Sequence, residues 1–367
     1  MNFNKLLGQD KVREILLKTA KNGQLPNSYL FSGPEGVGKW SAALGLTAYL
    51  NCQKPGESES CDTCPSCKQI SKLQHPNLFI AIPTPPSKTE KEELGNYWAI
   101  LEDKMAEPYS LITGQRQMSI PVATVRQIKQ KLNQKAELTG TRVIIIDQMD
   151  RMLSSSADAL LKLVEEPPPN TLIIITSSNL EKLLDTIVSR CRVISFPRLP
   201  DEIISSYLIE KEVAADKKAI LLARLSQGSI GRALYLSDDD ITQDREVARL
   251  IFKGIFVEPS IDLITEAGDL LPYRDRFRIT RIISFWQSLF RDLILIKNDS
   301  DNDKLINIDN VAELERLAAK NIEVEHLLTI PAYLSEVISD IELNVDTQTA
   351  VAALLIEIQS RLNLRAK

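Results

Sequence analysis

Residues 28–39 read Ser-Tyr-Leu-Phe-Ser-Gly-Pro-Glu-Gly-Val-Gly-Lys, and this stretch decides the fold. Its first five residues predict a short strand, which leads directly into a glycine-rich loop. Gly33, Gly36 and Gly38 allow successive backbone N–H groups to converge on phosphate oxygens at the start of a helix, whose dipole favours anions. Lys39 adds a positive charge for the terminal phosphates. The stretch therefore predicts a phosphate-binding loop between a strand and a helix.

Around this loop, apolar strands alternate with amphipathic helices through the first 200 residues. Continuous β-branched runs predict buried strands at 143–147 and 172–176. One helix is predicted at 40–52, after the loop, and another at 154–165, where three prolines end it. Such alternation predicts an α/β fold with a parallel sheet covered by helices on both faces. After Pro197 the strands disappear and the pattern is helical.

These changes of pattern divide the chain into three predicted domains and one insertion. The predicted domains are an α/β nucleotide-binding-like domain at 1–197, a small helical domain at 198–240 and a larger helical domain at 241–367. Residues 81–121 are rich in proline and charge, and we interpret them as an exposed insertion. Trp98 and Tyr109 indicate that part of this insertion packs against the protein.

Four cysteines lie shortly after the loop, at Cys52, Cys61, Cys64 and Cys67. The short CxxC steps let neighbouring thiolates reach one metal, and four thiolates close a tetrahedral zinc shell that has no open position for water. Free or disulfide-bonded cysteines are the alternative. The sequence around Met1 lacks a signal-peptide pattern, and clustered cysteines inside cells more often bind metal than form disulfides. We therefore expect a structural zinc site in a cytoplasmic protein.

Bulk composition excludes some classes of function. The formal charge is −5, which argues against a stand-alone binder of duplex DNA. Apolar runs stay shorter than about 18 residues, so no membrane span is expected. The predicted helix at 122–137 carries four basic residues and one acid, Glu137. Its basic side is either a solvated face or a surface that follows nucleic-acid phosphates within an assembly.

Two positions depart from the pattern of a nucleotide-hydrolysing site. A magnesium-binding Ser or Thr normally follows the lysine, but position 40 is Trp, and Ser41 is turned away by about 100°. Asp147 could orient magnesium-bound water, yet Gln148 stands where a Glu would polarise the attacking water. We expect a loop that kept its shape and lost its chemistry, without Mg²⁺. Weak ATP or ADP binding, a purely structural loop and a loop that never bound nucleotide all remain open.

Further motifs are specific to one family. The strongest are Leu-Leu-Lys-Leu-Val-Glu-Glu-Pro-Pro at 160–168 and Ser-Arg-Cys at 189–191, joined by Leu-Gly-Gln at 7–9, residues 25–34 and the cysteine cluster. With these motifs the chain resembles bacterial clamp-loader subunits of the AAA+ family over nearly its whole length. The resemblance implies an AAA+ domain at 1–197, a helical lid at 198–240 and an all-α collar at 241–367.

The resemblance also implies roles for single residues. Arg190 would be an arginine finger that reaches the ATP of a neighbouring subunit, because a guanidinium is permanently charged and matches phosphate oxygens. A structural salt bridge is the alternative for Arg190. Thr176 matches the first sensor position and Arg232 the second, on a lid helix that faces the nucleotide. Cys191 is expected to be only a small buried residue.

Trp40 and Gln148 favour the degenerate, delta-prime-like branch of this family over the gamma/tau-like motor branch. That resemblance implies a stationary subunit that assembles with motor and delta subunits. It would meet the sliding clamp and primed DNA through the assembled complex. An ATP-hydrolysing motor subunit is the alternative. A zinc-dependent interaction module unrelated to replication is the alternative from another class.

Overall fold

The computed structural model describes residues 3, 6–112, 118–132, 140–152, 154–257, 259–298 and 304–362. The chain divides into two compact units. The first comprises Met1–Tyr207 with Ser226–Leu234, and the second comprises Leu208–Leu225 with Tyr235–Lys367. The division into three domains at residues 197 and 240 stays a prediction.

A parallel sheet forms the centre of the first unit. Its five strands lie in the order β2-β3-β4-β1-β5, and every neighbouring pair is parallel. The strands are β1 Ser28–Ser32, β2 Leu78–Ala81, β3 Arg142–Ile146, β4 Thr171–Ser177 and β5 Arg192–Ser195. The sequence predicted β1, β3 and β4. It missed β2, which is only four residues long, and β5, which is mostly exposed.

Both faces of the sheet are buried, which explains why its central strands read as continuous apolar runs. Alternate residues of one strand enter different clusters, since successive side chains of a strand point to opposite faces. Ile145 packs with α1 and α2 on one face, whereas Ile144 and Ile146 pack with α5 and α6 on the other. The predicted α/β fold is confirmed. The helices of this unit are α1 Asp10–Lys21, α2 Lys39–Asn51, α3 Pro65–Ser71, α4 Glu90–Ala106, α5 Val122–Leu132, α6 Ser154–Glu165 and α7 Asp185–Val188.

Helix α5 carries the basic side predicted for 122–137. Arg126 and Lys129 lie on its described part, whereas Lys135 and Glu137 lie outside the described residues. The helices that follow are α8 Asp201–Glu210, α9 Asp216–Ser226 and α10 Ile230–Leu236. All three agree with the helical pattern that the sequence predicts after Pro197, and α10 begins in the first unit.

The second unit is helical throughout its described part. After α10, its helices are α11 Asp239–Ile255, α12 Ser260–Leu270, α13 Arg276–Lys297, α14 Val311–Ala318, α15 Val324–Leu328, α16 Ile330–Glu342 and α17 Thr347–Arg361. Trp286 is fully buried on α13, and its indole N–H donates to the carbonyl of Ala248 over 2.9 Å. Among the described helices of both units, none combines the length and apolarity that crossing a bilayer requires.

Candidate nucleotide site and metal centre

The phosphate-loop sequence forms a tight turn at the carboxyl end of β1. Gly33 has φ +151°, and a Cβ there would lie 2.2 Å from the carbonyl oxygen of Phe196. Gly36 has φ +70°, and its Cβ would lie 2.6 Å from the Cα of Gly231. Gly38 precedes α2 with φ +104°. Only glycine combines these backbone angles with such close approaches, so the loop has the shape that the sequence predicts.

Lys39 turns back onto its own loop. Its ammonium donates to the carbonyl oxygens of Gly33 and, over 2.6 Å, Pro34. The side chain is buried, and burial lowers the pKa of Lys39 to about 8, although the carboxylates of Asp147 and Glu35 oppose this shift. The charge that the sequence assigns to a phosphate is therefore held by backbone oxygens of the protein itself.

The predicted acidic and sensor positions lie together at the ends of β3 and β4. The Thr176 hydroxyl donates to Asp147 Oδ1 over 2.6 Å and accepts the backbone N–H of Gln148 over 2.9 Å. All three residues are buried. Among the described residues, no donor reaches Asp147 Oδ2 or Gln148 Oε1. These strand ends therefore form a buried polar pocket beside the loop.

The insertion closes this pocket from the other side. Lys104, near the end of α4, is only 5% exposed, and its ammonium donates to the carbonyl of Ser110 over 2.7 Å. The same ammonium lies 5.8 Å from the centre of the Trp40 ring, within the range of a cation–π contact. Lys104, Ser110 and Leu111 border one cavity of about 50 Å³, and Pro108, Ser110 and Leu111 line the cavity beside the loop, whose volume is about 20 Å³. A water molecule needs roughly 10–15 Å³, so the cavity beside the loop has room for one or two waters.

Tyr109 fastens this part of the insertion. It is 3% exposed, although the sequence gave no indication of what it would contact. Its hydroxyl accepts the backbone N–H of Leu7 over 3.0 Å, and its ring meets that of Tyr207 edge-on at 5.5 Å. Glu107 accepts the Tyr109 N–H over 3.0 Å and the Tyr207 hydroxyl over 2.6 Å. Tyr109 therefore packs against the protein, as the sequence indicates, whereas Trp98, the other residue expected to pack, is 39% exposed.

The segment before Arg232 is attached to the outer turn of the loop. The Ser229 hydroxyl donates to the Glu35 carbonyl over 2.6 Å, and the Gly231 N–H donates to the Gly36 carbonyl over 3.1 Å. The backbone N–H of Arg232 donates to Ser229 Oγ over 3.0 Å. Arg232 therefore directly follows residues that are hydrogen-bonded to the phosphate loop. Its role as a second sensor stays a prediction.

Arg190 lies outside this pocket, just after α7. Its guanidinium pairs with Glu165 over 3.1 Å and donates to the carbonyl of Thr186 over 2.9 Å, and the side chain is 43% exposed. An exposed pair of this kind contributes little to stability, roughly 0–1 kcal/mol. The neighbouring Cys191 is half-buried, and burial raises the pKa of its thiol to about 11.

The four clustered cysteines form the candidate metal centre. Their sulfur atoms all lie within 4.8 Å of one another, and Cys61 Sγ is 4.0 Å from Cys67 Sγ. Zinc–sulfur bonds of about 2.3 Å would place tetrahedral sulfurs roughly 3.8 Å apart, so the cluster fits one zinc ion. Cys52 follows α2 directly, and Cys64 caps α3 by accepting the Cys67 N–H over 3.5 Å.

Backbone N–H groups also favour thiolates at this centre. The N–H of Cys61 points to Cys52 Sγ over 3.3 Å, and that of Cys64 points to Cys61 Sγ over 3.4 Å. Hydrogen bonds from Thr63 and Cys64 lower the pKa of Cys61 to about 6, whereas burial raises the pKa of Cys52 and Cys67. Thiolates are the form that binds zinc, so the donor set suits the metal.

A strand that enters a glycine loop and a helix, with an acidic strand end beside it, defines an α/β domain of the phosphate-loop class. Within that class, residues 8–200 match the family described as DNA polymerase III, delta subunit. This match covers more than half of the chain, and the chain belongs to this family. The predicted resemblance to clamp-loader subunits is confirmed.

Individual relatives agree with this family. DNA polymerase III subunit delta' of Bacillus subtilis is 24% identical over 353 residues, which cover 96% of both chains. Subunit delta' of Escherichia coli is 30% identical over 64% of this chain and 61% of its own length. Subunit gamma/tau of Mycoplasma genitalium is 28% identical over 65% of this chain, which spans only 35% of that relative.

Proposed function

We propose that this chain is a delta-prime-like subunit of the bacterial replicative clamp loader. It would assemble with motor and delta subunits in the cytoplasm and help to place the sliding clamp on primed DNA. The proposal is supported by the match over 96% of both chains to a delta' subunit. In this proposal the three predicted domains are the AAA+ domain, the lid and the collar.

The proposed subunit does not hydrolyse ATP itself. The observation that supports this part of the proposal is the hydrogen bonding of Lys39. Its ammonium is bound by the loop's own carbonyls, and the next residue, Trp40, offers no hydroxyl to magnesium. Gln148 adds no carboxylate for the attacking water. ATP or ADP binding is therefore weak or absent in the intact chain, and no role for Mg²⁺ is proposed.

Arg190 would act on the ATP of a neighbouring motor subunit. Its side chain is 43% exposed, and its present partner, Glu165, is also at the surface. An arginine held this loosely can exchange a carboxylate for phosphate oxygens at low energetic cost. The proposed zinc ion would be structural, because a site with four cysteine ligands leaves no position for a substrate.

The similarity to a gamma/tau subunit keeps the motor subunit as a second candidate. ATP turnover by the isolated chain separates the two. The delta-prime-like subunit should show no magnesium-dependent turnover above background. Turnover that Lys39→Ala abolishes would instead identify a motor subunit.

Assembly tests the proposal against the remaining alternative. Family membership disfavours a zinc-dependent module unrelated to replication. We expect the purified chain to form a stable complex with the motor and delta subunits of its host, measured by size-exclusion chromatography with light scattering. A chain that stays separate from those subunits would contradict a clamp-loader role.

A further inference from the structure

The last turn of α4 and the residues after it fill the space above the phosphate loop. Lys104 is buried there between the Trp40 ring and the Ser110 carbonyl. Leu111 approaches Gly231, where an added Cβ would lie 2.9 Å from its Cδ2. The volume of about 20 Å³ that remains beside the loop is far too small for a chain of phosphates. A nucleotide can reach the loop only after residues 104–111 move away.

The closed pocket contains two buried lysines of its own, Lys39 and Lys104. Burial lowers the pKa of both, and the carboxylates of Asp147 and Glu35 oppose this shift and favour the charged forms. A buried carboxylate such as Asp147 requires a compensating charge, because an unpaired buried ion is costly. Lys104 provides one from the insertion. The pocket thus has an internal cation where a nucleotide site would use ions from solution.

The loop beneath the insertion keeps the features that bind phosphate. Gly33, Gly36 and Gly38 retain positive φ angles, and the loop leads into a helix of 13 residues. Among the described residues, none accepts a hydrogen bond from the backbone N–H of Gly36, Val37 or Gly38. Unused N–H groups at a helix start are the donors that bind phosphate oxygens.

We propose that residues 104–111 are a built-in occupant of the nucleotide site, and that the loop beneath them binds the diphosphate of a nucleotide once they are removed. Lys104 supplies the cation, and Pro108–Leu111 supply the volume. Tyr109 fastens the segment through the Leu7 N–H. The loss of nucleotide binding in the intact chain then has a steric cause in addition to the hydrogen bonds that hold Lys39 on its own loop. Both are separate from the loss of hydrolysis at Trp40 and Gln148.

The structure offers a place to excise the insertion. Thr84 and Ser119 form an antiparallel bridge, with N–H to carbonyl distances of 3.0 and 3.1 Å in the two directions. Replacing residues 85–118 by Asn-Gly would close this bridge with a two-residue hairpin turn. We expect the excised variant to bind fluorescent ADP, without magnesium, at least tenfold more tightly than the intact chain. Adding Lys39→Ala to the excised variant should remove that binding.

Point variants test the same inference and disturb the fold less than the excision does. Lys104→Ala removes both the cation and its volume, whereas Lys104→Met keeps most of the volume. ADP binding should increase more in Lys104→Ala than in Lys104→Met. Leu94→Ser, at a residue of the same helix that is 57% exposed, should leave ADP binding unchanged. Zinc content and melting temperature report whether each variant is folded.

Three results would overturn the inference. The first is that the intact chain binds ADP as tightly as the excised variant. The second is that the excised variant folds but does not bind ADP. The third applies if excision prevents folding, and it is that Lys104→Ala binds no more ADP than the intact chain. The assay uses only this chain's own loop. It is therefore distinct from the proposed role of Arg190, which is measured as ATP hydrolysis by a partner subunit.

Discussion

At the scale of single residues, the burial of Lys39 has a measurable consequence. A lysine in the unfolded chain titrates near 10.5, and in the folded protein burial lowers the pKa of Lys39 to about 8. Between these two values the unfolded chain binds more protons than the folded chain. The free energy of unfolding therefore rises with pH across this window, and the charged lysine costs most below pH 8.

We expect this dependence to disappear in Lys39→Met. From pH 7.5 to 9.5, the free energy of unfolding of the wild type should increase relative to that of the variant by about 1–2 kcal/mol. Urea unfolding at the two pH values measures the difference. The upper limit avoids Tyr97 and Tyr109, whose pKa burial raises to about 12 and whose unfolded forms begin to ionise near 10. A difference that does not change with pH would contradict the buried state of Lys39.

Arg190→Ala should leave this chain folded and assembled, yet slow ATP hydrolysis by the adjoining motor subunit. An arginine finger in trans contributes roughly 10³–10⁵ in other nucleotide hydrolases, but several sites act in one loader, so the fall in total turnover is smaller. The assay is hydrolysis stimulated by clamp and primed DNA in the reconstituted complex, compared at equal assembly.

Glu165→Gln is the matched control for Arg190→Ala. It removes the same ion pair and keeps the guanidinium. Hydrolysis should stay near the wild-type rate in this variant. Equal losses in the two variants would make Arg190 a structural residue, and unchanged hydrolysis and clamp loading in Arg190→Ala would exclude the finger.

At the scale of elements, the sequence predicts the helices and strands whose hydrophobic pattern matches the burial of their residues in the fold. β3 is a continuous β-branched run between two buried faces, and α2 follows a glycine loop, so local pattern and final position coincide. The insertion is the opposite case. On α4, Leu94 is 57% and Trp98 39% exposed, whereas Lys104 is 5% exposed. Two of its large apolar residues face solvent while a charged residue is buried beside Leu101, so hydrophobic pattern alone could not locate this part of the site.

The cysteine cluster allows a prediction that separates metal binding from helix capping. Purified wild-type protein should contain about one zinc ion per chain, and Cys64→Ser should lose it, because three thiolates bind zinc less tightly than four. Serine is a good helix N-cap, so α3 should keep its capped start. Elemental analysis of protein purified without chelators measures both.

Cys191→Ser is the control for this experiment, because Cys191 lies outside the cluster and should not affect the zinc content. Wild-type protein without zinc, or Cys64→Ser with a full complement of zinc, would contradict the proposed site.

At the scale of the whole molecule, a buried ion cluster lies in the second of the two compact units. Asp244 is fully buried on α11 and accepts hydrogen bonds from Arg278 Nε over 3.0 Å and Arg281 Nε over 2.9 Å. The Tyr235 hydroxyl accepts a further bond from Arg281 over 2.6 Å. Removing the central carboxylate would leave both guanidinium groups without their shared partner.

We expect Asp244→Asn to lower the free energy of unfolding of the second unit by about 2–4 kcal/mol. This is slightly below the usual range for breaking a buried pair, because the Arg278 side chain is 39% exposed. Differential scanning calorimetry measures the change, and retained zinc would show that the first unit is still folded. Glu246→Gln, at a surface pair of the same helix, should change the stability by less than about 1 kcal/mol.

Gly231 connects three stretches of chain that lie far apart in sequence. A methyl group there would lie 2.2 Å from the Tyr109 carbonyl oxygen, 2.8 Å from the Gly36 Cα and 2.9 Å from Leu111 Cδ2. Any side chain at this position would displace the phosphate loop and the insertion together. A saturation-mutagenesis library selected for growth should therefore contain only glycine at 231, and shortening the insertion should not relieve this requirement, because the Gly36 backbone remains in contact.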